Sequence, residues 1–307
     1  MKCKLVDLSE AIAALVRDGD SVQLGSGLET AIPFAATFEL IRQRRQNLHM
    51  ISPISDASTD MLVGGGCVTE VSASWIGNVS GGLGHNYRRA VEKGEPHSIK
   101  VNDYSNLSLA MALFAGAYGL PYAPVKSILG SDILKSNANL RSAENPFAEG
   151  SEPVVLVPPL RPDVSIHVVQ RADKHGNNHY WGSSGVAKEA ALAAEKVILI
   201  AQEIVEPEVI ASDPSRVLVP GFRVDAVCHV PFGTHPSPLT GYLKRDSEFF
   251  NDYHKGSRDP EHYAEWAEEW IFDTSGPDGY QQKLGNRLKY LRIKGEQFGA
   301  PANYAFE

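Results

Sequence analysis

The chain has 307 residues, with 29 Lys and Arg against 37 Asp and Glu and a formal net charge of −8. That balance excludes the usual sequence-independent nucleic-acid binder, which sets clustered cations against phosphates. Hydrophobic residues make up 43% and charged residues 21%, a globular composition long enough for one large or two ordinary domains.

Three scattered cysteines, Cys3, Cys67 and Cys228, form neither a disulfide framework nor a zinc pattern and suit a reducing compartment. No apolar run approaches the roughly 20 residues of a membrane span. The start, Met1-Lys2-Cys3-Lys4-Leu5, lacks the apolar stretch of a signal peptide. The expectation is a cytoplasmic protein that contacts neither membrane nor nucleic acid.

The predicted elements alternate between short β-rich runs and helices, the pattern of an α/β fold. A helix over 9–16 leads through the turn Asp18-Gly19-Asp20 into a strand over 21–24. Gly25-Ser26-Gly27 follows, then a loop through Pro33, a helix over 34–44 and a strand over 48–51. The basic run Arg42-Gln43-Arg44-Arg45 ends that helix, where cations complement the helix dipole. Residues 68–74 alternate as a strand should, and 77–84 form a glycine-rich loop. Residues 103–118 read as a helix stopped by Gly119 and Pro121. Residues 139–152 read as a surface loop.

The second half holds four apolar strand candidates, at 154–157, 164–169, 197–200 and 224–230. Near-continuous apolar strands imply a sheet covered on both faces. Asp173-Lys174-His175-Gly176-Asn177 signals a turn, and 185–194 a small-residue helix. From about His262 the chain becomes a polar helix anchored by Trp266, Trp270, Ile271 and Phe272. With no repeat or low-complexity linker, 1–307 reads as a single domain with a C-terminal helical segment from about 259.

Several residues could carry chemistry. Gly25-Ser26-Gly27 sits after a strand, where glycines admit a close ligand and offer backbone N–H groups, or merely turn the chain. It lacks the third glycine of a dinucleotide fingerprint and the Gly-Lys-Ser/Thr of a Walker loop. The loop 77–84 carries Asn78, Ser80 and His85 as hydrogen-bonding groups, at the kind of strand end where α/β folds bind ligands. Gly64-Gly65-Gly66 reads as a turn. His175 and His179 lie four apart across a turn with no third ligand, so no metal site is expected and both read as surface histidines. His235 reads as a structural hydrogen-bonding residue. Glu29 is the most tempting carboxylate but reads as solvated. There is no Gly-x-Ser-x-Gly elbow, and no catalytic set is complete within the chain.

Taken in order, these segments resemble one family. Asp18-Gly19-Asp20, Leu24-Gly25-Ser26-Gly27, Tyr87-Arg88-Arg89-Ala90-Val91-Glu92-Lys93-Gly94 and Asp103-Tyr104-Ser105-Asn106 fit it. So do Gly119-Leu120-Pro121-Tyr122-Ala123-Pro124, Leu129-Gly130-Ser131-Asp132, Asn145-Pro146-Phe147, Val219-Pro220-Gly221, Pro231-Phe232-Gly233-Thr234-His235-Pro236-Ser237 and Glu269-Trp270-Ile271-Phe272-Asp273. The chain resembles, along essentially its whole length, the alpha subunit of family I CoA-transferases of the glutaconate type.

The resemblance implies an open, mostly parallel sheet with helices on both faces, shared with phosphosugar isomerases. It implies a hetero-oligomer with a beta subunit, whose glutamate attacks an acyl-CoA thioester and passes CoA to a carboxylic acid. Coenzyme A thioester would be substrate, with no permanently bound cofactor. This chain would supply substrate-binding residues, Gly25, Ser26, Gly27, Asn78 and Ser80, and no catalytic nucleophile. The family's serine in the 77–84 loop aligns with either Asn78 or Ser80. Relatives of the same architecture hydrolyse or ring-cleave acyl-CoAs, which keeps a hydrolase as the alternative. A non-catalytic ligand-binding module is the third reading.

Overall fold

The computed structural model describes residues 2–25 and 29–293. Its strands are β1 (Ser21–Leu24), β2 (Leu48–Ile54), β3 (Val68–Trp75), β4 (Gly77–Asn78), β5 (Gly82–Leu83), β6 (Lys100–Asp103) and β7 (Ala123–Val125). After them come β8 (Arg141–Glu144), β9 (Pro153–Val157), β10 (Val164–Ala172), β11 (Asn178–His179), β12 (Lys196–Ile204) and β13 (Ala226–His229). The main sheet runs β13-β12-β10-β1-β2-β3-β6 with every pair parallel, and β11 adds antiparallel to β10.

The alternation of side chains along each strand divides the core into two layers. Val22, Met50, Ile166, Ile198 and Ile200 pack with Ile12, Phe34, Phe38 and Met61 from helices α1 (Leu8–Leu15), α2 (Phe34–Arg42) and α3 (Ala57–Gly64). Their neighbours Val197, Leu199 and Ala201 face the other way, onto Ala187 and Ala191 of the helix Ala187–Ala193. Ile51 does the same, meeting Leu113 and Ala190. The sheet is therefore covered on both faces, as its apolar strands require. Two further helices matter for the site: α4 (His85–Lys93) and α5 (Asn106–Tyr118). Ser105 caps α5 with a reciprocal capping box, and Gly119, at φ +69°, ends it.

Two expectations need correcting. The apolar run ending at Val157 belongs not to the main sheet but to a separate antiparallel sheet, β7-β9-β8. Prolines bound that run, and its exposed and buried positions suit a strand covered on one side. Residues 139–152 are not simply a loop, because Arg141–Glu144 pairs with β9 along its length. The C-terminal helix starts at Pro260 and widens into a π-helical turn over Glu268–Phe272, which leaves Phe272 partly exposed, while Trp266 and Ile271 are buried.

The chain proceeds outward from β1 through β2, β3 and β6 on one side, and through β10, β12 and β13 on the other. The direction of winding thus reverses between β1 and β10. In open parallel sheets, the crevice outside the strand C-termini at such a reversal is where ligands bind. Gly25 lies at that point. A loop after β13 supports it: Ser237 Oγ donates to Glu29 O at 2.7 Å, and Ala31 N donates to Pro238 O at 2.9 Å.

A buried polar knot holds the segment that follows. Asp246 caps the helix Ser247–Gly256 by accepting from Phe249 N at 3.0 Å. Its carboxylate also meets His235 Nε2 at 3.0 Å and the Arg287 guanidinium, with Nη2 at 2.7 Å. Burial disfavours the Asp246 charge, but His235, Arg287 and the Phe249 N–H outweigh that and hold its pKa below the ordinary value. Burial lowers the pKa of His235 despite Asp246, so the imidazole is neutral and Arg287 supplies the cation. This is the structural role read for His235 from the sequence.

Removing one member of a buried charge network costs about 3 kcal/mol or more, so Asp246→Ala should lower stability by about that amount in urea unfolding. The pH dependence has a fixed sign. His235 binds its proton less readily folded than unfolded, so stability falls as pH drops below about 6.5. Asp246 adds a further loss below the ordinary carboxylate range. Asp246→Ala should flatten the second, more acidic part of that decline.

Candidate active site

Three strand-end loops meet outside the C-terminal edge of β1, β2 and β3. At the first, Gly25 N donates to Ile166 O at 2.9 Å, so its N–H is committed to the sheet. Gly25 adopts φ +57°, and a Cβ there would come within 3.1 Å of both Ala31 O and Pro33 Cδ. Only glycine turns the chain here without strain. Ser26 and Gly27 lie outside the described residues. Glu29 is exposed, as expected.

At the second loop, β2 runs out through Ser55 to Asp56, which is fully buried at φ +47° and ψ −139°, immediately before α3. A non-glycine residue in so sparsely populated a region costs of order 1–3 kcal/mol and persists only where its surroundings enforce it. The enforcement is visible. Asp56 Oδ1 accepts from Val79 N at 3.0 Å, and Oδ2 accepts from Arg245 Nη1 at 2.8 Å. Burial raises the Asp56 pKa, while Arg245 and the Val79 N–H act against that shift.

The third loop is the tight hairpin β4–β5. Asn78 Oδ1 accepts from both Ser80 N and Gly81 N at 3.0 Å, and Nδ2 donates to Phe250 O at 2.7 Å. Asn78 is thus buried and committed to shaping the hairpin, whereas Ser80 is half-buried at its tip. Of the two positions left open by the sequence, Ser80 bonds Arg245 through its hydroxyl, while the Asn78 amide is spent within the hairpin and on Phe250. His85 packs instead against His254, with ring centroids 4.4 Å apart and planes tilted by 35°.

Arg245 joins the loops. Besides Asp56, its Nη2 donates to Ser80 Oγ at 3.1 Å, and Glu29 Oε2 stands 4.0 Å from Nη1. The guanidinium lies over the Phe250 ring, 4.0 Å from its centroid. At that distance the cation meets the negative face of the ring.

Sequence reasoning therefore finds Gly25 and Ser80 at one sheet edge but misses Asp56 and Arg245. The Ser55-Asp56 step directly after an apolar strand is an available signal for Asp56. Arg245 has none, since it reaches Ser80 across 165 positions of chain. His179 is not a surface histidine: it is buried, with Nε2 at 3.0 Å from Ile210 O. Among the described residues no cluster of three His, Cys, Asp or Glu could hold a metal. Nor is any helix among them long and apolar enough to cross a membrane.

The model of the coenzyme A transferase family matches residues 5–229. The chain belongs to the coenzyme A transferase family. It is 39% identical over 281 residues to the alpha subunit of 3-oxoadipate CoA-transferase from Pseudomonas knackmussii, covering 92% of this chain and 98% of that one. To the alpha subunit of glutaconate CoA-transferase from Acidaminococcus fermentans it is 32% identical over 306 residues, covering 94% and 95%. The crystal structure of that glutaconate enzyme superposes with a TM-score of 0.90, over 95% of this chain and 96% of the other. Similarity to the cholesterol ring-cleaving hydrolase IpdA subunit of Rhodococcus jostii is weaker, at 24% identity over 286 residues, covering 91% and 94%. The expected sheet architecture thus accompanies the expected family.

The hairpin geometry gives Asn78 a measurable role. Asn78→Ala deletes the acceptor for two backbone N–H groups of the hairpin and the bond to the Phe250 carbonyl, at about 1–3 kcal/mol for buried groups left unsatisfied. Urea unfolding should show that loss. Undiminished stability with impaired turnover would instead mark Asn78 as a substrate contact.

Proposed function

We propose that this chain is the alpha subunit of a heteromeric CoA-transferase that moves CoA between an acyl-CoA and a carboxylic acid. The observation that carries the reading is near full-length similarity to the alpha subunits of two CoA-transferases. Both relatives are named for dicarboxylic acids, so we favour short dicarboxylates as the acids exchanged.

The nucleophile comes from the beta subunit. A carboxylate there attacks the thioester carbonyl and expels CoA thiolate, leaving an acyl anhydride. The thiolate then attacks the carboxylate-derived carbonyl and expels the acyl group as its free acid. The acceptor acid reverses both steps, so no net water or redox equivalent is consumed. This is covalent catalysis by a carboxylate, and it makes the kinetics ping-pong.

The chain's own site supports that division. Asp56, the carboxylate joined to Ser80 through Arg245, is fully buried and ion-paired, which leaves it poorly placed to attack an entering thioester. Within this proposal Gly25, Ser26 and Gly27 line the acyl site, and Ser80 faces the thioester carbonyl. Asn78 acts through the hairpin it shapes. The free cysteines suit a cytoplasmic setting.

A partner chain also answers a packing problem. The helix α5 carries no charged residue, yet Leu107 and Tyr118 on it are exposed. A helix apolar all round is ordinarily covered. Hydrolysis remains the second reading, on the weaker similarity to the ring-cleaving hydrolase.

The test is steady-state kinetics of the chain co-expressed with its partner, using succinyl-CoA or glutaryl-CoA as donor and 3-oxoadipate or glutaconate as acceptor. Parallel double-reciprocal lines are expected, with no turnover by the isolated chain. Release of free CoA at the same rate without acceptor would favour the hydrolase.

A further inference from the structure

The Ser80 hydroxyl is held by a group that can only donate. Arg245 Nη2 occupies a lone pair of Ser80 Oγ at 3.1 Å, and a guanidinium accepts nothing in return. The hydroxyl hydrogen therefore points away from Arg245. The neighbouring cation also makes that hydrogen a stronger donor, since it favours electron density on Oγ.

Arg245 is itself fixed on several sides. Asp56 takes Nη1 at 2.8 Å, the Phe250 ring centroid lies 4.0 Å away, and the next residue, Asp246, is anchored as a helix cap. Asp56 in turn is held at φ +47° and accepts from Val79 N, in the same hairpin as Ser80. The ion pair and the serine therefore form one unit: Asp56 aims Arg245, and Arg245 aims Ser80.

We propose that Arg245 is a positioning residue of the transfer reaction, holding the Ser80 hydroxyl as a hydrogen-bond donor to the thioester carbonyl oxygen while charge gathers on it. No proton need move: the oxygen gains density when the partner's carboxylate adds to the carbonyl carbon, and loses it when the thiolate leaves. Preorganised donors of this kind act mainly on the transition state. The inference rests on the proposed function, specifically on Ser80 facing the substrate.

The experiment is a double-mutant cycle in the complex with the beta chain, assayed with whichever of the donor–acceptor pairs above turns over fastest. Ser80→Ala should lower kcat on the order of 10- to 100-fold with KM changed less than about 2-fold. Arg245→Lys keeps a cation for Asp56 but loses the planar fork that reaches Asp56 and Ser80 through separate nitrogens. It should lower kcat in the same way, with an unchanged urea midpoint as the control for folding. In the S80A background, R245K should have almost no further effect. Equal losses from R245K with and without Ser80, or a wild-type kcat in R245K, would overturn the positioning role. Full activity in S80A would instead remove Ser80 from the substrate site and leave the transferase reading to its own kinetics.

Discussion

A buried ion pair governs the geometry of the sheet edge. Asp56 and Arg245 come from positions far apart in the chain, and their contact ties the loop after β2 to the segment before the helix Ser247–Gly256. Around it are gathered the Val79 N–H, the Ser80 hydroxyl and the Phe250 ring. Either charge alone in that setting would be costly; together, with Val79 N–H on Asp56 and Ser80 Oγ on Arg245, they define one arrangement. The strained backbone of Asp56 is the cost of bringing its carboxylate to that spot.

The rest of the molecule keeps that edge rigid. A parallel sheet buried on both faces fixes the heights at which β1, β2 and β3 end, and Ile54 pairs with Trp75 at the last rung before the loops diverge. The reversal of winding between β1 and β10 leaves a crevice beside Gly25. The loop after β13 and the Asp246 knot then close in from the side, so four separate stretches of sequence converge on one small region. A rigid wall that offers hydrogen bonds and keeps the buried Asp56 carboxylate paired is what a partner's nucleophile would need opposite it.

Much of this architecture is legible in the sequence because it follows from local rules. Strands such as β10 and β12 are almost entirely buried, and burial on both faces shows in the sequence as apolar runs with few polar interruptions. The run ending at Val157 looks the same, and periodicity does not say that its partners are β7 and β8. α4 is harder to see as a helix, because its nine residues are mostly polar and it begins right after a glycine-rich loop. At the site, Gly25 and Ser80 announce themselves through glycine loops after strands. Asp56 and Arg245 do not, since a lone Asp and a lone Arg acquire meaning only when tertiary packing puts them 2.8 Å apart.

If the transfer runs as proposed, the reacting carboxylate belongs to the partner and this chain builds the facing wall. The most direct measurement is mass spectrometry of both chains after the complex is exposed to acyl-CoA and borohydride, which reduces a carboxylate-bound thioester to an alcohol. A single carboxylate of the partner should lose the mass of one oxygen and gain two hydrogens, with this chain unmodified. Reduction of Asp56, Glu29 or any other carboxylate of this chain would contradict it.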